Sequence, residues 1–201
     1  QVQLPDEWDP NLAKVNVGIS AVVESDCCNP EWVNRCNNMD AVIVPSKHAK
    51  TCLENSGNLE VPVYVVPEWF FKNITSDDFT DNHFTNMDFQ TPFNFLMVAQ
   101  LTGQTPETDR KNIFNTIRWF CEVFKDDKDV GLVLKTNHGR GTSIDRELTQ
   151  GLVRKILGEI RQGEFPKVHL VHGNLTESEI SGLYRNKSVK CLINLTRGEG
   201  F

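Results

Sequence analysis

Gly198-Glu199-Gly200-Phe201 is the stretch of this chain whose residue types invite chemistry most directly. Glycines let a backbone approach a ligand closely, and a glutamate between them can accept hydrogen bonds from hydroxyl groups. Two cationic groups stand elsewhere, Arg110-Lys111 and the pair Lys135 and Arg140. Each follows an apolar run of strand length, so each is expected at the carboxyl end of a strand. Cations and helix N-terminal N–H groups gathered there are what an anionic ligand requires. Glu24 closes another apolar run and is a carboxylate at a strand end.

The elements that must position these residues can be read in order. Residues 1–12 are polar and Pro-rich and read as loop. Residues 15–23 form a β-branched apolar run, a predicted buried strand. Asn29 and Pro30 suit the N-cap and first turn of a helix whose apolar side carries Trp32, Val33 and Cys36. Residues 41–44 are a short strand closed by Pro45. Ser46 caps a second helix through Ala49, Cys52 and Leu53, which Gly57 stops. Residues 61–66 form a third strand. Strand–helix alternation of this kind implies a parallel sheet with right-handed crossovers.

Residues 68–91 break the alternation. Aspartates and asparagines mix there with Phe70, Phe71, Phe79, Phe84 and Phe89. The stretch reads as an interdomain linker that packs aromatic rings against a domain face. The second block restarts with a strand at 93–99. A loop with Gln100, Thr102, Gly103 and Pro106 leads to Arg110-Lys111, expected in the first turn of a helix. That helix buries Ile113, Ile117, Phe120, Cys121 and Phe124. A strand at 130–134, a polar loop at 135–141 and a helix at 144–161 follow, the helix carrying Leu148, Leu152, Ile156 and Ile160. A strand at 168–171 comes next. Thr176 with Glu179 forms a capping box before a helix with Ile180, Leu183 and Tyr184, and residues 189–195 are an apolar run read as a buried strand.

The segment from His172-Gly173 through that helix and strand to Gly198-Glu199-Gly200-Phe201 resembles the donor-site region of the group-1 (family 4) retaining glycosyltransferases. The first block resembles the later half of their acceptor domain, with Trp32, the strand closed by Val44-Pro45-Ser46 and the strand closed by Val66-Pro67. The resemblance implies the GT-B fold, α/β with two Rossmann-like blocks, each incomplete in this chain. It implies residues 1–67 as acceptor-side domain, 68–91 as linker and 92–201 as the first part of the donor domain. It also implies transfer of a hexose with retention from a nucleotide-sugar donor to an unknown glycan or lipid acceptor, without metal or cofactor.

Residue by residue, the resemblance implies that Glu199 orients the donor sugar and Gly200 offers its N–H, with Gly198 and Phe201 completing the loop. Lys111 matches the family's phosphate-binding lysine, and Arg110 adjoins it. Gln100 takes the place of the family's arginine near Gly103, removing one cation that Lys135 or Arg140 could replace. Glu24 stands about where many members carry a histidine facing the reacting sugar. An exposed carboxylate and a solvated first helical turn are the plain alternatives for Glu24 and for Arg110-Lys111. A non-catalytic nucleotide- or glycan-binding module and a sugar-nucleotide epimerase are the alternative functions. The family's second glutamate would fall beyond Phe201, so the chain as given is expected to be weakly active and to self-associate.

The totals fit this picture. The 201 residues carry 21 Lys plus Arg against 27 Asp plus Glu, a net charge of −6, which argues against a nucleic-acid partner. No apolar run approaches the roughly 20 residues of a membrane span. None of the six cysteines forms a C-x-x-C pair, and buried free thiols in a reducing, cytoplasmic setting are expected. Of the sequons at Asn73, Asn174, Asn186 and Asn194, the last falls in a predicted buried strand, which argues against a glycosylated, secreted chain.

Overall fold

The computed structural model describes residues 1–23, 25–70, 72, 82–161 and 163–198. The chain divides into two compact units, Gln1–Phe70 with Gly198–Phe201, and Phe71–Arg197.

In the first unit, β1 (Val17–Ile19), β2 (Ala41–Val44) and β3 (Val63–Val65) pair in parallel in that order. They alternate with α1 (Pro30–Asn37) and α2 (Lys47–Ser56). The helix starts follow local rules. Asn29 accepts the Glu31 N–H ahead of Pro30 at N1, and Ser46 accepts the Ala49 N–H. Val33, Cys36, Val42, Val44, Cys52 and Leu53 form a core in which each is at most 1% exposed. The opening segment is more than loop. A 3-10 turn at Pro5–Glu7 sends Trp8 into this core. A Cβ on Gly18 would meet the Trp8 ring at 2.5 Å, so β1 needs glycine at that contact. β1 is also shorter than the apolar run 15–23. Beyond the strand, Val22 holds φ 64, a left-handed value that costs a β-branched residue.

In the second unit four parallel strands lie in the order β6-β5-β4-β7. They are β4 (Phe93–Val98), β5 (Val130–Thr136), β6 (Lys167–His172) and β7 (Val189–Leu192), with α3 (Ile113–Val123), α4 (Ser143–Ile160) and α5 (Glu177–Arg185) between them. One face packs Met97, Leu132 and Leu134 against Ile113, Ile117, Phe120 and Val153 of α3 and α4. The other packs Leu96 and Val133 against Leu183, Phe84 and Phe89. The end of the stretch read as linker therefore enters this unit's core. Asn82 donates to Ser178 O at 2.7 Å, and a Cβ on Gly182 would collide with the Asn82 side chain.

Three local expectations are corrected. Leu148 is 62% exposed, while Thr149 and Val153 are buried. Of the apolar positions read from the sequence, Ile156 and Ile160 pack toward the core and Leu148 does not. β7 ends at Leu192, and both Cys191 and Asn194 are exposed, so the argument that drew on a buried Asn194 falls. Asn186 is the buried sequon. Its amide donates to Phe84 O and Met87 O, and its oxygen accepts from Ser188 N and Oγ. Among the described residues no helix is long and apolar enough to cross a membrane.

Candidate functional site

The strand order of the second unit fixes where a ligand would sit. From β4 the chain steps through α3 to β5 and through α4 to β6, then returns through α5 to place β7 on the other flank of β4. Connections leaving β4 and reaching β7 run to opposite sides, so a crevice opens at their carboxyl ends. The loops that follow these two strands are 99–112 and 193–198.

Hydrogen bonds stitch the two loops together. Arg110 O accepts Arg197 N at 3.0 Å and Thr196 Oγ1 at 3.2 Å. Asn112 Nδ2 donates to Leu195 O at 2.9 Å. The Arg197 guanidinium donates to Pro106 O and Glu107 O at 2.7 and 2.8 Å. Asn112 is buried and holds φ 57, a left-handed conformation that asparagine tolerates better than most residues. Asp109, fully buried, fastens the base of the first loop. One carboxylate oxygen accepts Thr102 Oγ1 at 2.9 Å and the other accepts Ile113 N at 2.6 Å. Asp109 therefore supplies the N-terminal cap of α3 that the Asn112 side chain does not. Gly103 is where the loop doubles back, since a Cβ there would collide with the backbone of Thr108 and Asp109.

The predicted donor residues distribute as follows. Gln100, Gly103, Arg110 and Lys111 all lie in the loop after β4. Arg110 and Lys111 precede α3 rather than forming its first turn, because the helix begins at Ile113. Gly198 ends the loop after β7. Lys135 is not in a loop. It is the penultimate residue of β5, 8% exposed, with Nζ 3.5 Å from Thr136 O. Burial pushes its ammonium below the ordinary lysine value, and it forms no ion pair with a described residue. Glu24, Glu199, Gly200 and Phe201 lie outside the described residues.

Lys135 has polar neighbours at the same rim. His172 pairs with Thr136 across β5 and β6. Burial first, then the Lys135 charge, holds His172 below its ordinary value. Thr136 Oγ1, Asn137 Oδ1 and His172 Nε2 are buried without a hydrogen-bond partner in the structure. Such orphaned groups cost free energy unless a ligand or water satisfies them. The loops after β5 and β6 meet through Asn137 Nδ2 and Asn174 Oδ1 at 2.7 Å, with Gly141 at φ 76 and Gly173 at φ 108. Asp145 closes the first of these loops onto α4, accepting the Arg140 and Thr142 N–H groups in a capping box.

Asp109, Asn112 and Arg197 went unread in the sequence. Asp109 preceding a helix is a cap signal that could have been found. The contacts of Asn112 and Arg197 join positions more than 80 residues apart and leave no local mark.

No protein-family model and no curated protein sequence matches the chain. Solved structures do. A UDP-forming α,α-trehalose-phosphate synthase from Burkholderia xenovorans matches with a TM-score of 0.61 and 12% identity over 93% of this chain and 49% of that one. The apo OtsA structure matches with a TM-score of 0.62 and 8% identity over 92% and 47%. A structure described as trehalose-6-phosphate from E. coli bound with UDP-2-fluoro glucose matches with a TM-score of 0.58 and 9% identity over 92% and 47%. The fold is accordingly α/β with parallel sheets, the Rossmann-like GT-B type. The chain spans about half the length of these structures.

Proposed function

We propose that this chain belongs to a metal-independent glycosyltransferase that moves a hexose, with retention, from a nucleotide-diphosphate sugar to a glycan or lipid acceptor. The observation that carries the reading is the stitched crevice at the carboxyl ends of β4 and β7. The two loops carry Arg110, Lys111 and Arg197, and Lys135 stands at the end of the neighbouring strand. Charge grows on a diphosphate as the glycosidic bond breaks, and fixed cations oppose that charge where it develops. Arg197 adds a cation to the rim on which Gln100 replaces the family's arginine.

The remaining roles come from the glycosyltransferase resemblance. Glu199 orients the donor sugar, and Gly198, Gly200 and Phe201 form its loop. Glu24 is assigned, by the resemblance, the role for which many members use a histidine. The strained Val22, two residues before it, supports that role, because such strain gathers at functional sites. Trehalose-phosphate synthases of this fold are described as UDP-forming and bound with UDP-2-fluoro glucose, so UDP-hexoses are the first donors to test.

The test is incubation of the full-length protein with UDP-glucose and an acceptor panel, in the presence and absence of a chelator, with products followed by NMR. Transfer that keeps the anomeric configuration and survives chelation is expected. Donor binding with neither transfer nor hydrolysis would leave a nucleotide-binding module instead, and an inverted anomer would remove retention.

A further inference from the structure

α4 carries two apolar stripes. Val153, Ile156, Leu157 and Ile160 pack toward the sheet. Ile144 and Leu148 lie on another side, 68% and 62% exposed, and half-buried Leu152 lies between the two, lining a small cavity with Ile113, Leu134 and Val153. A surface helix normally has one apolar stripe, and a second calls for a second partner.

A groove runs beside the outer stripe. Its first stretch, about 320 Å³, is lined by Leu101, Gly103, His138, Leu148 and Leu152. Its second, about 210 Å³, continues past Leu152 along Phe114, Arg118, Lys155, Ile156 and Glu159. Apolar knobs thus project from the N-terminal half of α4, and the groove beside them continues along its C-terminal half. Gly151 lies between them, exposed, with nothing within 4 Å of where a Cβ would be. An exposed helical glycine weakens a helix relative to alanine, and no contact with a described residue accounts for it.

The charges match the same division. Glu147 on the N-terminal half and Arg154 on the C-terminal half are exposed and form no ion pair with a described residue. A two-fold axis near Gly151 that crosses two α4 helices antiparallel sets Leu148 against the partner's Leu152. It sets Ile144 against the stem of the partner's Lys155, and Glu147 against the partner's Arg154, each contact occurring twice.

We infer that the outer face of α4 binds a second copy of this chain, helix against antiparallel helix. The occupant is argued from self-complementarity: the knobs and both charges belong to one helix, the groove flanks that helix, and all exchange under one two-fold axis.

Sedimentation velocity on the full-length protein tests this. The wild type is expected to show a concentration-dependent dimer, and Leu148→Glu a monomer with an unchanged circular-dichroism melt. Glu147→Arg and Arg154→Glu each place like charges at both symmetric positions, and each is expected to weaken the dimer at least about tenfold. The double reversal is expected to restore it. A wild type that stays monomeric, because another protein or nothing covers the stripe, overturns the inference. So does a dimer indifferent to Leu148→Glu, or a double reversal no better than either single change. Should Leu148→Glu fail to fold, the exposed charge pair decides alone.

Discussion

At the scale of single residues, the cations of the rim are expected to do different work. Lys111 stands in the loop after β4 beside Arg110. A lost charge-assisted hydrogen bond to phosphate is worth about 1.5–3 kcal/mol, so Lys111→Ala should weaken donor binding by roughly that amount in calorimetry. Unchanged affinity would make Lys111 a solvated loop residue. Lys135 is the opposite case, a buried ammonium with no acidic partner among the described residues. Its lowered pKa means the folded state resists protonation. The cost to stability is complete below that lowered value and fades as pH rises toward the ordinary lysine value. Lys135→Met should therefore raise the melting temperature of the ligand-free protein by a few degrees at neutral pH and by less near pH 10. The same change should weaken nucleoside diphosphate binding, since an anion is what would compensate the charge. A variant that loses stability at neutral pH would show that Lys135 is held for its packing.

At the scale of elements, the two loops at the switch point act as one piece because Asp109, Asn112 and Arg197 tie them. Asp109→Ala removes the cap on Ile113 N and the acceptor for Thr102, leaving buried donors unsatisfied. A cost of about 1–3 kcal/mol in denaturant unfolding is expected. Asn112→Ala removes the bond to Leu195 O and puts alanine at φ 57. It should cost roughly 1–2 kcal/mol, and it should weaken nucleotide binding more than its effect on stability predicts. Equal effects on both would mean the tie serves folding alone.

At the scale of the whole molecule, the proposed function assigns the nucleotide to the carboxyl rim of β4 and β7. Hydrogen exchange with and without UDP should show added protection concentrated in residues 99–112 and 193–198. Residues 147–158, on the outer side of α4, should respond to protein concentration instead. Protection by UDP confined to the groove of Leu148 and Leu152 would move the ligand site away from the switch point.

The sequence by itself determined what is local. Period and punctuation reveal the alternation of strands and helices, and with it the parallel α/β fold. Asn29, Ser46 and Thr176 mark helix starts because a capping side chain meets an N–H only two or three residues on. The glycine loop and the cations after predicted strands drew attention to a rim because parallel strands end together. The tertiary structure decided what is non-local. Which side of β4 receives β7 depends on pairing across roughly 95 residues, and that choice alone creates the crevice. Lys135 reads as a loop residue until β6 pairs with β5 through Thr136 and extends the strand around it. Of the apolar positions read on α4, Ile156 and Ile160 meet the sheet and Leu148 does not, because the helix is apolar on more than one side. Periodicity reveals that such faces exist, and only packing selects the one that is buried.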